Sequence, residues 1–483
     1  MRIGRAITAT DRAIMARVAA TDSCVLDEVM PRLSVAANNS RLWLAVAAGL
    51  AVTGGRPARR AALRGVASIA IGSLAANQAG KRVTRRLRPT EEVAVGRRLV
   101  QLPRSTSFPS GHATSAAAFA TAVALEVPAL AAPVGVLAAA VGVSRVVTGA
   151  HYPSDVLAGF ALGGTAGLIT LRWWPRRPAG PAAAARPRHA APAAPTGEGL
   201  TLVVNGQSGT ASADLAEQLR GSLPDARIVL ADQGGDLEKL LAEAAADARI
   251  LGVAGGDGSV RAAVQVALGA RLPLLVVPAG TLNHFAGELG VGSPDDAIAA
   301  LAAGDSVLVD VAVAGQDVFV NTASVGVYTE LVKAREELED RLGKWPAVLV
   351  ALARVLRHGT PVELTVDGRQ RRLWLLFAGA GQYEPQGAAP TYRPDLADGE
   401  LDIRVIDATR PLARTRLIAA VALGTLGRCR VYQSWSARSL QITAGDGEPV
   451  ELSLDGEATE SGRSVRIRKL PAALLVYRPG ADS

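Results

Sequence analysis

Apolar residues gather into five stretches in the first part of the chain, at about 34–54, 61–80, 113–127, 128–147 and 154–173, with charged loops between them. Residues 1–33 carry a charge every few positions and no apolar run long enough for a signal peptide, which predicts an amphipathic helix lying at an interface. The stretches are rich in Ala and Gly, and several fall short of the roughly 20 residues that cross about 30 Å of hydrocarbon. Buried helices of a soluble bundle give a similar pattern. Loop charge favours a membrane bundle of about five spans over residues 34–174. With five spans, the loop holding Arg56, Arg59, Arg60 and Arg64 and the tail holding Arg172, Arg176 and Arg177 share one side, which the positive-inside rule makes cytoplasmic. Basic residues at 81–104 then fall on the opposite face, against that rule, and need a separate reason.

Residues 175–198 are rich in Pro and Ala without apolar periodicity, which predicts an extended, semi-rigid linker. From Leu200 the pattern changes to short β-branched runs (LTLVVN, RIVLA, RILGVAGG, LPLLVVPAG) alternating with helical stretches. This predicts an α/β nucleotide-binding lobe with a parallel sheet over 199–310. Over 311–478 the runs VELTVDG, RRLWLLFAG, GELDIRVI, VELSLDGE and SVRIRK alternate as antiparallel strands do, which predicts a β-rich second lobe. No fixed-period repeat is present.

Charge divides the 483 residues unevenly. The chain is +8 overall, but residues 1–200 hold 24 Lys/Arg against 9 Asp/Glu, so the remainder is acidic. Cys24 and Cys429 are too few for a disulfide framework and exclude the small secreted scaffolds. A 49% hydrophobic content with 20% charged residues suits a mixed membrane and soluble protein.

Three clusters in the apolar half share one chemical theme. Lys81 and Arg88-Pro89 form K-x6-R-P; Pro109-Ser110-Gly111-His112 opens a span; Ser144-Arg145, His151 and Asp155 form S-R-x5-H-x3-D. On the span count all three lie on one membrane face. Fixed cations near backbone amides suit a phosphate dianion, because Arg offers a planar fork and Lys a point charge. His151 can attack phosphorus if a carboxylate holds its other ring nitrogen, and Asp155 lies one helical turn away. His112 can then protonate the leaving oxygen. A lone histidine is ordinarily structural, but two of the five histidines fall inside matching clusters. No carboxylate cluster suited to a metal accompanies them, so the chemistry is expected to be metal-independent.

These clusters resemble the tripartite signature of the type-2 phosphatidic acid phosphatase superfamily, over roughly residues 35–175. The resemblance implies that Lys81, Arg88 and Arg145 bind phosphate with Ser110 and Gly111, that His112 is the acid, His151 the nucleophile and Asp155 its partner. Lipid phosphates and polyprenyl pyrophosphates are both substrates of that superfamily.

The second half has its own phosphate chemistry. Strand RILGVA runs into Gly255-Gly256-Asp257-Gly258-Ser259 and then a helix, whose N-terminus faces an anion while the glycines allow close backbone approach. Asn205-Gly206-Gln207-Ser208-Gly209 and Pro278-Ala279-Gly280-Thr281-Leu282-Asn283 follow two other strands, at the ends where open α/β sheets bind ligands. These loops resemble the catalytic domain shared by diacylglycerol kinases, sphingosine kinases and bacterial lipid kinases, over about 199–478. The resemblance implies that Asn205, Ser208, Gly209, Gly256, Asp257, Gly258 and Thr281 hold ATP, with Asp257 linked to magnesium through water. It implies that Asp398, in Asp398-Gly399-Glu400-Leu401-Asp402, organises Mg2+, and that Glu457, in Asp455-Gly456-Glu457, is the base that deprotonates a lipid hydroxyl. Asp-Gly is also a common hairpin turn. Gly206 stands where that family usually has Pro, and GAGQYEPQGAAPTYRP lacks its usual Gly triplet. NAD kinases and phosphofructokinases share the GGDG loop; the apolar half and the late D-G-E favour a lipid acceptor.

The sequence therefore describes a multi-pass membrane enzyme with an outward-facing phosphatase joined to a cytoplasmic lipid kinase. Its expected partners are membrane lipids, a lipid phosphate and ATP, with no nucleic acid. The rival is a phosphatase joined to a degenerate kinase-like module that only binds lipid or nucleotide. Lipid identity and oligomeric state stay open.

Overall fold

The computed structural model describes residues 2–80, 86–89, 106–176, 180–206, 210–231, 235–280, 283–326, 359–387, 390–445 and 449–480. The chain divides into two compact units, Met1–Arg176 and Arg177–Ser483.

The described part of the first unit is helical: α1 (Arg2–Ala19), α2 (Met30–Ala36), α3 (Arg41–Thr53), α4 (Arg56–Leu74), α5 (Gly111–Glu126), α6 (Ala131–Val147) and α7 (Pro153–Ile169). Among the described residues, Pro128–Val147 and Pro153–Arg172 are long and apolar enough to cross a membrane. Five such stretches were expected. Helix α3 has 13 residues and α5 has 16, which at 1.5 Å per residue reach only about 20 and 24 Å. Helix α4 carries arginines in its first half. Arg64 is fully buried, its Nε 2.7 Å from Glu126 Oε1 and its Nη1 2.9 Å from Thr170 Oγ1, and Arg60 Nε lies 2.8 Å from the other Glu126 oxygen. Both guanidinium groups stack over Trp174. Arg60 and Arg64 are thus paired packing residues of α4 and not residues of a loop.

A spacing of four puts Gly159, Gly163 and Gly167 on one face of α7, and that face meets α5. A Cβ on Gly159 would lie 2.5 Å from Ser110 O, and one on Gly163 would lie 2.1 Å from Thr114 O. Only glycine permits this approach. Because residue 159 meets 110 and residue 167 meets 121, the two helices run parallel, and their N-termini come together. This places the P-S-G-H and S-R-x5-H-x3-D clusters side by side. Helix α1 touches α6 and α7 on one side, burying Asp11 and Met15, and leaves most of its other residues exposed.

In the second unit the strands are β1 (Leu200–Val204), β2 (Arg227–Leu230), β3 (Ile250–Gly255), β4 (Leu274–Pro278), β5 (Ser306–Ala314), β6 (Asp317–Phe319), β7 (Thr322–Gly326), β8 (Val362–Val366), β9 (Arg369–Gly379), β10 (Leu401–Asp407), β11 (Tyr432–Ala437), β12 (Ser439–Ala444), β13 (Glu451–Leu454), β14 (Glu457–Glu460) and β15 (Ser464–Tyr477). The described helices are α8 (Thr210–Ser222), α9 (Leu237–Ala246), α10 (Asp257–Ala270), α11 (His284–Leu289), α12 (Pro294–Ala303) and α13 (Ala413–Leu423). Strands β2-β1-β3-β4 pair in parallel, as β-branched runs separated by helices predict. The later strands pair antiparallel, with β7 and β8 on either side of β9 and β10 also pairing with β9. The two lobes interlock, because β15 pairs antiparallel with β5 and reaches β4 at Val476↔Leu274. The final residues of the expected β-rich lobe therefore sit in the core of the α/β lobe, where Leu474, Val476 and Tyr477 are buried.

The expected linker is not wholly a spacer. Ala182 N donates to Glu288 O (2.8 Å), Ala185 N to Leu308 O (3.1 Å) and Ala194 N to Leu301 O (3.0 Å), all within the second unit. Ala182, Ala191 and Ala194 are buried there. Alanine is small enough to bury beside proline without any periodic pattern, so composition alone reads as a spacer.

Candidate active sites

In the first unit a cavity of about 210 Å³ is lined by Arg88, Gly111, His112 and His151, with Asn39, Ser40, Ser73 and Asn77 among the polar wall. Four of the predicted phosphate-handling residues are thereby brought together. Arg88 Nη1 donates to Ala150 O (2.6 Å) and lies 3.2 Å from His151 Nε2. His151 Nδ1 is 2.5 Å from Ser107 O. A carbonyl only accepts, so Nδ1 carries the proton and the Nε2 lone pair faces Arg88. Burial, with Arg88 and Arg145 adding positive charge nearby, holds the imidazole well below its ordinary value. His112 Nε2 lies 2.9 Å from Asn38 Oδ1 and donates to it.

Three predicted residues stand behind the cavity wall. Asp155 was expected to hold His151 directly, but its nearest oxygen is 4.0 Å from Nδ1. At the third position of α7 it instead accepts from Tyr152 N (3.0 Å), and its other oxygen accepts from Arg86 Nη1 (2.8 Å). A carboxylate in the first turn of a helix is drawn to that turn's unpaired N–H groups. Ser110 caps α5 and donates its N–H to Asp155 O at 3.0 Å. Arg145 donates Nη1 to Ser34 Oγ, and its buried Nε has no hydrogen-bond partner among the described residues. Lys81 lies outside the described residues.

Sequence reasoning missed Arg86, which stood in the unspecified part of K-x6-R-P. Its guanidinium joins Asp155, Ser154 Oγ (2.7 Å) and Asp11 Oδ2 (2.6 Å), and it stacks over Tyr152 at 4.1 Å. Its backbone carbonyl accepts from Ser107 N at 3.0 Å. Asp11, Arg86 and Asp155 therefore anchor the peptide whose carbonyl orients His151. Asn38 was missed too, since no motif spacing marks it.

In the second unit a cavity of about 1070 Å³ is lined by Asn205, Gly256, Asp257, Gly258 and Gly280 together with Asp455 and Glu457. The loops after β1, β3 and β4 converge as expected at strand C-terminal ends. Asn205 Nδ2 donates to Ser259 Oγ (2.8 Å), and a Cβ on Gly280 would lie 2.4 Å from Gly256 Cα. The N-terminus of α10 opens onto this space, favourable for an anion. Asp257 accepts from His284 N (3.1 Å) and Phe285 N (3.2 Å), tying the loop to α11. Ser208, Gly209 and Thr281 lie outside the described residues.

Glu457 sits beside the glycine loop although about 200 positions separate them in sequence. Its Oε1 would be 2.8 Å from a Cβ on Gly258, and its Oε2 accepts from Arg261 Nη2 on α10. Asp455 receives the N–H groups of Val320, Asn321 and Thr322, each at 2.8 Å. Burial nonetheless pushes its carboxyl up to about 6. The apolar part of the wall comes from Leu375, Phe377 and Tyr383.

Asp398 does not fit the magnesium role implied for it, and it is not among the lining residues. Its Oδ2 accepts from Gln382 N (2.6 Å), and its Oδ1 accepts from Glu400 N (3.0 Å) and Lys469 Nζ (3.3 Å). The buried ammonium, also 3.4 Å from Asp310, already occupies the place of a cation. No cluster of three or more His, Cys, Asp or Glu suited to a metal occurs among the described residues. Asp257 does fit a water-mediated magnesium, because it lines the cavity and each of its oxygens accepts a single backbone N–H, which leaves lone pairs for a water.

Comparison with known proteins places both halves. Residues 61–179 match the PAP2 superfamily, and residues 199–314 match the diacylglycerol kinase catalytic domain. A "Probable lipid kinase YegS-like" protein of Pseudomonas syringae pv. tomato is 30% identical over 283 residues, covering 55% of this chain and 90% of that protein. One of Pseudomonas savastanoi pv. phaseolicola is 30% identical over 287 residues, covering 56% and 91%. Among solved structures, a diacylglycerol kinase from Bacillus anthracis is 24% identical, covers 59% of this chain and 98% of its own, and has a TM-score of 0.44. A transmembrane PAP2 type phosphatidylglycerolphosphate phosphatase from Bacillus subtilis is 26% identical, covers 34% and 84%, and has a TM-score of 0.28. The chain belongs to the YegS-like lipid kinases through its second unit and carries a PAP2 superfamily domain ahead of it in the same polypeptide.

Proposed function

We propose that the protein is a bifunctional enzyme of lipid-phosphate metabolism, with a lipid phosphatase in the first unit and an ATP-dependent lipid kinase in the second. The observation that carries this is that each unit gathers its own phosphate chemistry round one cavity. Arg88 and His151 meet in the first, and Glu457 meets the glycine loop in the second.

In the first unit, His151 Nε2 donates its lone pair to phosphorus while Arg88 neutralises the phosphate. His112 gives a proton to the departing lipid oxygen, and water then hydrolyses the phosphohistidine, returning a proton to His112. Gly111 and Lys81 complete the anion site in this reading, with Arg145 adding positive charge from behind the wall and Ser110 capping the helix that presents Gly111. In the second unit, Asn205, Ser208, Gly209, Gly256, Gly258 and Thr281 hold the nucleotide. The lipid hydroxyl attacks the γ-phosphorus, Glu457 accepts its proton and ADP leaves. Magnesium arriving with ATP, near Asp257, supplies charge neutralisation of the phosphates. Five spans, an extracytoplasmic phosphatase site and a cytoplasmic kinase complete the proposal.

One observation favours a second reading, in which the second unit binds lipid or nucleotide without transfer: Asp398 is held by Lys469 away from the cavity. Labelled ATP offered with diacylglycerol and polyprenol, alongside phosphate release from their phosphates, separates the two. His151→Ala should abolish release and leave labelling of lipid intact, whereas EDTA should stop labelling and spare release. Turnover of a lipid phosphate by His151→Ala at the wild-type rate would sink the phosphatase assignment; no labelled lipid from any acceptor would leave the binding-only reading.

A further inference from the structure

Helix α13 packs in an inverted way for a helix of a water-soluble lobe. Among its described residues the buried ones are the small Ala413 and Ala420, while Ile418, Val421 and Leu423 and the preceding Leu412 are 50–72% exposed. Apolar residues of that size normally face a core, and Ile418 and Val421, three apart on α13, share one exposed face. Arginines surround it. Arg410, Arg416, Arg428 and Arg430 are exposed, and residues 408–437 contain no Asp or Glu. The acidic surplus of the second half makes this segment stand out further.

We infer that this patch is a membrane-docking surface of the kinase unit, with Ile418 and Val421 entering the acyl boundary and the neighbouring arginines meeting anionic phospholipid headgroups. Charge complementarity selects the occupant. A second copy presenting the same face would set arginines against arginines, whereas an anionic leaflet attracts clustered Arg beside apolar residues. The segment that follows α13 reaches toward the reaction cavity: Gly427 N donates to Gly387 O at 2.8 Å, and Tyr383, four residues before Gly387, lines the cavity. Docking here would bring the acceptor side of the cavity to the lipid surface. The inference rests on the lipid-kinase reading only for that purpose.

The test uses the full chain in vesicles, with Cys24→Ser and Cys429→Ser and a single cysteine introduced as Ile418→Cys or, in a second variant, Val421→Cys. Each carries an environment-sensitive fluorophore, with Asp225→Cys, an exposed turn, as the reference. In vesicles containing phosphatidylglycerol, emission from 418 and 421 should shift to the blue. Acyl-brominated lipid should quench it several-fold more than at 225. Arg416→Glu with Arg428→Glu and Arg430→Glu should reverse the quenching, as should vesicles of phosphatidylcholine alone. Iodide quenching at 418 and 421 equal to that at 225, with no bromolipid effect, would overturn the inference. So would a blue shift that follows protein density and not lipid, which would identify a second copy as the occupant. Because the readout is depth and not turnover, failure here and failure of the kinase reading are told apart.

Discussion

His151 Nδ1 lies 2.5 Å from the carbonyl oxygen of Ser107, while the nearest oxygen of Asp155 is 4.0 Å away. The ring is oriented by a peptide, and that peptide is anchored by Arg86, whose guanidinium is held between Asp155 and Asp11 of α1. Carboxylate influence on the nucleophile is therefore indirect.

Arg86 should behave as a positioning residue. Arg86→Gln loses both carboxylate partners, and a displaced nucleophile costs about 10²-fold, so kcat for phosphate release should fall by that order with KM little changed. Arg86→Lys should recover part of it. A parallel rise in KM, or no recovery by lysine, would assign Arg86 to substrate binding instead.

Acid should act oppositely on the two units. His151 titrates well below its ordinary 6.5 in the folded protein. Below 6.5 the unfolded chain takes up a proton that the buried ring does not, so stability held above that pH is lost as pH falls. Asp455 is raised from 3.8 to about 6, so its contribution is complete below 3.8 and lost as pH rises through about 6. Melting followed unit by unit between pH 4 and 7 should show the slopes, and His151→Gln and Asp455→Asn should each flatten one. An acid limb of phosphatase activity at or above 6.5 would contradict a neutral buried His151.

Glu457→Gln should lower lipid phosphorylation by about 10²–10⁴-fold, the usual loss for a general base, with nucleotide affinity nearly unchanged. Arg261→Ala frees the same carboxylate from its ion pair and should change the pH profile of transfer more than the affinity for ATP. An active Glu457→Gln enzyme with an unchanged pH profile would remove Glu457 from the chemistry and make Asp257 the leading candidate.

Gly163→Ala places a methyl 2.1 Å from Thr114 O on α5. Overpacking of this kind costs about 1–3 kcal/mol, and it separates the N-terminal ends of α5 and α7, at which His112 and His151 lie. Thermal stability of the first unit and phosphate release should both fall, while Gly164→Ala, whose Cβ would meet only Thr121 Oγ1 at 3.8 Å, should be nearly neutral.

The motifs and the strand runs were legible because they are local. K-x6-R-P, P-S-G-H and S-R-x5-H-x3-D are short spacings, and β1, β3 and β4 are β-branched runs that can only be buried on both faces. The meeting of the loops after β1, β3 and β4 follows from the parallel-sheet rule, whereas the first cavity needs the glycine face of α7 against α5 and Glu457 reaches the glycine loop only through the fold.

What the tertiary structure decided depends on who competes for each polar group. Asp155 has the right spacing for His151, yet the open N-terminus of α7 and Arg86 claim it first, and Arg86 reaches it across a loop that has no sequence period. Arg60 and Arg64 read as loop charges until Glu126, more than 60 positions away, turns them inward. Asp398 reads as a metal residue until Lys469 arrives on β15. Spacing along the chain states which groups are within local reach; only the folded chain brings the distant partners that outbid them.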